Sequence, residues 1–293
     1  MQRLIVSLIS LLMAIGSFAA RVAGDTKAEQ LLAEARAALG KNLDKVQGLT
    51  ATGTYQRTMA DRQLSGEVTI DLQLPDKMLR TESMSPMGDL MIIVEQGING
   101  EKLLRSQRTV NGPPGAVIRM APAPTGDAEA QAIRNARAEL ARFVIAFLLA
   151  SPASQPLDYA HGGQAESDEG KAEIVDAKGP GNFAARIFLD QKSHRPLMLQ
   201  YRGIAPRVMI QTQQGPPPDA ARGQHGEPGA AVPAPPPPQL VDITLFLDYY
   251  KPVDGVLLPH HISRSIDGKP TEEMTFKTIK INPAFKAETF TAR

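Results

Sequence analysis

Apolar residues recur at helical spacing near the start of the chain and at alternate positions through most of the rest. Ala28, Leu31, Leu32, Ala35 and Leu39 stand three and four apart, the period of an amphipathic helix. Thr26 and Glu29 precede them with the spacing of a capping box, and Gly40 follows as a stop. Val68, Ile70, Leu72 and Leu74 then interleave with Glu67, Thr69, Asp71 and Gln73, the period-two signature of a half-buried strand. Neighbouring runs predict strands at about 49–57, 77–83, 90–97 and 101–108. Turn chemistry separates several of them, at Pro75-Asp76, Gly97 to Gly100 and Asn111-Gly112-Pro113. Spacing this short favours an antiparallel meander over parallel βαβ units.

A second helix is predicted over roughly 127–150, with Ile133, Ala136, Leu140, Val144 and Phe147 on one stripe. Its final turns, Phe143 to Leu149, are apolar all round, so that end must be covered on every side. Strands resume at about 172–178, 183–190 and 195–202, and again at 240–250, 256–266 and 271–281. In one of these, Val241, Ile243, Leu245, Leu247 and Tyr249 form a single face. In the last, Met274 and Phe276 share a phase that Ile279 and Ile281 do not, which predicts a bulge near Lys277-Thr278. Between the two blocks, Gly215–Pro238 holds nine Pro and four Gly in 24 residues and cannot pack a core. Strands on both sides make it a Pro-rich hairpin insertion (213–239) inside one domain. A domain boundary there would leave about three strands to fold alone, which is marginal.

Composition changes the picture in three places. Lys+Arg 32 against Asp+Glu 31 gives no basic footprint for nucleic acid. Met1–Arg3 is a basic start, Leu4–Phe18 an apolar run, and Ser17-Phe18-Ala19 places small residues where a signal peptidase cuts. Residues 1–19 therefore read as a cleaved secretory signal peptide, with 20–293 the mature chain. A membrane anchor is the alternative, but a run of about 15 residues is short for a span that needs roughly 20. With no Cys there is no disulfide framework and no acylation site of a bacterial lipoprotein, so the product is expected to be periplasmic, soluble and unanchored.

Candidate chemistry is sparse. His260 and His261 are adjacent on a strand and point to opposite faces, so they do not share an ion readily. His161, His194 and His225 fall in separate polar segments read as loops, and Asp158-Tyr159-Ala160-His161 reads as loop rather than dyad. No nucleophile elbow, zincin motif or phosphate-cradling glycine loop is present. No cofactor and no metal are expected, and a catalytic role is not. Met84, Met87 and Met91 cluster within eight residues, as either core filling or an adaptable apolar surface.

Three segments carry a family resemblance. Tyr249 to Pro259 (YYKPVDGVLLP) looks like a strand, turn and "D-G-x-x-x-P" hairpin; Ile279-Lys280-Ile281-Asn282-Pro283 to Phe290 looks like a last strand with an "N-P…F" tail; Leu74 to Arg80 (LPDKMLR) is similar to a "P-D-K-x-R" turn. Together with the element order they resemble the LolA-like lipoprotein carriers of the bacterial periplasm. The resemblance implies an α+β, mainly antiparallel β fold: a curved, incomplete β-barrel with a helical lid over an apolar cavity. It implies a non-catalytic carrier or chaperone for a lipid or a lipoprotein acyl chain, with release at a membrane-associated protein partner. The alternative is a cell-envelope sensor or protein-interaction module on the same fold. Cavity candidates are Val68, Ile70, Leu72, Leu74, Met91, Ile243, Leu245 and Leu247, with Phe143, Phe147 and Leu148 as lid residues. Periodicity alone gives the same pattern for a lined cavity and for an ordinary packed sheet.

Overall fold

The computed structural model describes residues 25–59, 62–87, 90–111, 124–167, 170–204 and 239–291. The expected signal segment, the Pro-rich insertion up to Pro238 and His225 lie outside the described residues. In chain order the elements are α1 (Thr26–Leu39), β1 (Gly48–Met59), β2 (Arg62–Gln73), β3 (Lys77–Met87), β4 (Leu90–Asn99), β5 (Lys102–Val110), α2 (Asp127–Leu148), β6 (Asp158–Ser167), β7 (Gly170–Gly179), β8 (Phe183–Asp190), β9 (Pro196–Ile204), β10 (Leu240–Val253), β11 (Val256–Ile266) and β12 (Lys269–Ile281). No helix among the described residues is long and apolar enough to cross a membrane.

The strands form one antiparallel sheet of 12 in the order β5-β4-β3-β2-β1-β12-β11-β10-β9-β8-β7-β6. Two meanders, β1–β5 and β6–β12, meet where β1 pairs with β12. The sheet is open: β5 and β6 are its two edges, and α2 is the connection between them. A helix of 22 residues is about 33 Å long. It meets β4 and β5 toward one edge and β8 and β9 toward the other more than it meets any strand between them, which a flat sheet does not allow. The sheet therefore curls around α2, and its concave face carries the main core.

Local chemistry explains the ends of α1. The N-cap is Asp25, one residue ahead of the expected Thr26, because its carboxylate accepts from the backbone N–H of Lys27 (3.0 Å) and Ala28 (3.4 Å). Its other oxygen accepts from His161 N at 2.7 Å, which ties the helix start to β6. Gly40 closes the helix at φ 126°, and a Cβ there would collide with the carbonyl of Gly255 in the β10–β11 hairpin. At the central seam of the sheet, Lys277 is left over where Thr52 pairs with Thr278 and Gly53 with Phe276, the bulge expected from the phase slip.

One element differs from the sequence expectation. Asp158 to His161 is not a loop but the start of β6, which pairs with β7 along its length apart from a bulge at Gly162; His161 Nε2 lies 2.9 Å from Glu173 Oε2. His194, by contrast, lies in the turn between β8 and β9. Beyond the last strand, Asn282 ties the tail to β1: its Oδ1 accepts from Gln47 N (2.7 Å) and Gly48 N (3.2 Å), and its Nδ2 donates to Lys45 O (2.9 Å). Phe285 and Phe290 of that tail pack on Leu79 and Leu104 on the convex side.

Candidate functional site

Residues directly opposite in an antiparallel pair share a face, so register defines the concave surface. Ile70 opposes Arg80, Val68 opposes Glu82, Tyr55 opposes Met274, Arg57 opposes Glu272, and Arg264 opposes both Glu272 and Leu245. Strands β1, β11 and β12 thus run from apolar to charged residues within one phase. On β1 the buried series Leu49, Ala51 and Tyr55 ends in Arg57; on β12 Phe276 and Met274 give way to Glu272; on β11 Ile262 gives way to Arg264. A charged belt crosses one level of an otherwise apolar face.

α2 lies over this belt. Ala132, Ala136, Glu139, Phe143, Ala146 and Phe147 form a stripe at three- and four-residue spacing that faces the sheet across a cavity of about 520 Å³. Ile70, Met78, Val94, Leu103, Leu245, Ile262 and Met274 supply its apolar wall, and Gln96, Arg105 and Asn135 are exposed at its mouth. The volume falls within the roughly 300–1,000 Å³ of small-molecule sites. Phe143 stacks on Phe147 (4.2 Å between centroids), and Phe147 meets Phe276 edge-on at 6.2 Å, closing the deep end.

The belt is a connected ion network. Arg57 Nη2 lies 2.6 Å from Glu272 Oε1 and 2.7 Å from Glu82 Oε1; Arg80 reaches the same two carboxylates at 2.6 Å each. Arg264 is 3.8 Å from Glu272 and 4.0 Å from Glu139, and Arg142 is 3.1 Å from Glu139. Arg142 also lies over the Tyr201 ring at 3.9 Å, whose hydroxyl accepts from Arg264 Nη2 at 3.3 Å. Glu272, its side chain 2% exposed, is the hub. Burial alone would raise its carboxyl, but the charges of Arg80, Arg57 and Arg264 pull it down to about 2. The Tyr55 hydroxyl is pushed up to about 12, by burial first and then by the charge of Glu82. Replacing a buried ion cluster with apolar side chains is often neutral or stabilising, so packing alone does not account for this one.

Of the residues singled out by periodicity, Ile70, Phe143, Phe147 and Leu245 line the cavity. Val68, Leu72, Leu148, Ile243 and Leu247 are buried in the adjoining core, and Leu74 sits in the turn after β2, packed against that core. Met91 lies on β4 in the phase opposite to Val94 and Gln96, away from the cavity, and Met84 packs on the core edge. The charged members Arg57, Arg80, Glu82, Glu139, Arg142, Arg264 and Glu272 were missed. Their signal was a charge standing at an apolar-phase position of a strand, as in Met274-Glu272 or Ile262-Arg264. His260 is buried, with Nδ1 3.0 Å from Leu258 O, while His261 stands edge-on to Tyr249.

No protein-family model matches the chain, and no curated protein matches it in sequence. Solved structures do match. A DUF1329 family protein from Desulfovibrio piger aligns over 90% of this chain and 96% of its own, at 9% identity and a TM-score of 0.47. A LolA superfamily protein from Nitrosomonas europaea aligns over 90% and 97%, at 8% identity and a TM-score of 0.45. A structure from Vibrio parahaemolyticus, described as an outer membrane lipoprotein-sorting protein domain, aligns over 90% and 97%, at 12% identity and a TM-score of 0.45. The structural neighbours of this chain thus include DUF1329 and LolA superfamily proteins, at low sequence identity throughout.

Proposed function

We propose that the chain is a non-catalytic carrier that binds the acyl part of a lipid or lipoprotein between α2 and the concave face of the sheet, with α2 as the lid. One observation carries the reading: a cavity of about 520 Å³ between α2 and the sheet whose deep wall, from Ile70 and Met78 to Phe143 and Phe147, is apolar. Each methylene buried there contributes about 0.8 kcal/mol, so an acyl chain gains several kcal/mol with no catalytic or metal group involved. The lid has an anchored end and a free end. Leu140, Ala141 and Val144–Leu149 are buried, and Arg36 of α1 donates from Nη1 to Leu149 O (2.8 Å) and Leu148 O (3.2 Å), supplying the cation that the last turn of α2 lacks. The first turns, Asp127–Gln131, are exposed. Opening pivots at the Leu149 end. Export through the 1–19 leader would deliver this carrier to the periplasm, where lipid ligands and membrane partners meet.

The test is uptake of the neutral apolar dye N-phenyl-1-naphthylamine, together with native mass spectrometry of the purified mature chain. Dye fluorescence that rises on binding and falls when a long-chain monoacylglycerol is added is the expected result. A chain that copurifies with no lipid and takes up no dye ends the reading.

A second reading, an envelope interaction module, is favoured by the convex face of the other wing. There Phe246, 44% exposed, stands beside Met198, which packs on Phe188 and Ile174. Deleting 213–239 separates the two: lost protein capture with unchanged dye uptake favours the module.

A further inference from the structure

We propose that the cavity selects an amphiphile with an anionic headgroup, a carboxylate or a phosphate monoester, seated between Arg142 of α2 and Arg264 of β11. This rests on the acyl-binding reading above and names the ligand class for that same cavity.

Three observations converge. First, charge does not balance. Among the described residues, Arg57, Arg80, Arg142 and Arg264 face only Glu82, Glu139 and Glu272, and Arg105 adds a further cation at the mouth. Arg57 and Arg80 each reach both Glu82 and Glu272 at 2.6–2.7 Å, so their charge is neutralised at close range even though Arg80 Nε makes no hydrogen bond of good geometry. The excess therefore falls on Arg142 and Arg264.

Second, these two guanidiniums carry unused donors. Nε of Arg142 and Nε of Arg264 are both buried and have no hydrogen-bond partner among the described residues. An Arg donor withdrawn from water with nothing to donate to is costly, and an incoming acceptor removes that cost. Both side chains line the cavity, and both gather around Glu139 and Tyr201.

Third, the group now between them engages one side closely and the other weakly. Glu139, its side chain 46% exposed, accepts from Arg142 at 3.1 Å but reaches Arg264 only at 4.0 Å. It sits on α2 with Arg142, so when the proposed lid lifts the two leave Arg264 together and the anion position against β11 opens. Glu139 is a built-in stand-in for the headgroup, occupying the anion position while the cavity is closed and unloaded. The apolar wall from Ile70 and Met78 to Phe143 and Phe147 is continuous with this point, which gives the chain of the amphiphile its place.

Affinities of the full mature chain for dodecanoate, dodecyl phosphate, dodecanol and dodecyltrimethylammonium, measured by displacement of the neutral dye near neutral pH, test the assignment. The anionic probes are expected to bind at least about tenfold more tightly than dodecanol, with the cationic probe weakest, because a charge-assisted hydrogen bond is worth a factor of roughly ten or more. The tighter of dodecanoate and dodecyl phosphate identifies the headgroup. Arg264→Met should lower the anionic-to-neutral ratio by about tenfold. Glu139→Gln, which removes the stand-in charge while keeping its shape, should raise it. The ratio is internal to each variant, so a partial folding defect does not imitate either change. Equal affinity for dodecanoate, dodecyl phosphate and dodecanol, or a ratio that falls in Glu139→Gln, overturns the headgroup assignment and leaves acyl binding standing. Binding of none of the four probes overturns acyl binding itself.

Discussion

The concave face has two regions built from the same alternation and finished differently. Under α1, strands β6, β7 and β11 meet a helix whose Ala28, Leu31, Leu32, Ala35 and Leu39 are all buried against them. Two alanines at 0% exposure let that helix settle close, and the sheet below answers with Val175, Ala177, Ala185, Ile187 and Leu258. Under α2, the helix also presents alanines, Ala132, Ala136 and Ala146, but the facing strands carry Arg57, Arg80, Glu82 and Arg264 in the apolar phase. Guanidiniums resist full desolvation, so α2 rests on Arg142, Glu139 and two phenylalanines and leaves a space. One helix completes a core and the other roofs a cavity, and the difference lies in what a few strand positions carry.

The largest effect is expected where the two regions join. Phe147 is fully buried between Phe143 and Phe276 and belongs to the core while closing the cavity. Phe147→Ala should cost about 3–5 kcal/mol in urea unfolding. A loss below about 1 kcal/mol would mean the α2 side is not part of the load-sharing core, and the comparison would break at its seam.

Glu272→Gln asks whether the charged belt is an integrated part of that second region. The amide keeps the shape but strands Arg57, Arg80 and Arg264, at a cost of about 3 kcal/mol near neutral pH. The sign with pH is definite. The carboxyl is lowered from 4.5 to about 2, so its contribution is present above about 4.5 and is lost as pH falls toward 2. Wild type should therefore lose stability through that window, and the gap to Glu272→Gln should narrow. Parallel acid limbs for the two proteins would show that the belt holds nothing together.

Most of the fold was legible because burial on one face writes a period into the strand, as in Val68 to Leu72 or Phe183 to Leu189. β6 left no such trace: as an edge strand reading DYAHGGQAES it buries little, and its place comes from pairing with β7. Asp25 displaced Thr26 as cap because a carboxylate was available one residue earlier with a second partner at His161. In the cavity, Ile70 and Phe147 announced themselves as apolar, whereas Arg57 and Glu272 did not. Each looks like a polar strand end, and only the β1–β12 register brings together two residues 215 positions apart. Locally the cluster leaves only a charge at an apolar-phase position, and its assembly is made by register across the whole chain.

The smallest effect is the sharpest test, because it makes the same change in both regions. Ala177 of β7 is fully buried in the filled core, and Ala136 of α2 faces the cavity. Enlarging each to leucine adds the same volume. Ala177→Leu has nowhere to put it and should cost about 1–3 kcal/mol through displaced neighbours. Ala136→Leu projects into unoccupied space from a helix that tolerates leucine well, and stability should stay within about 1 kcal/mol of wild type. Its effect should appear in ligand uptake instead, since the added side chain takes up room between α2 and Ile70, Met78 and Val94. Urea midpoints for both variants and dye binding for Ala136→Leu decide the matter. A costly Ala136→Leu with unchanged dye binding would mean that the space beneath α2 is closed off in solution and the ligand goes elsewhere. A cheap Ala136→Leu with weakened dye binding would place the ligand under α2, where the charged belt keeps the helix from closing the gap.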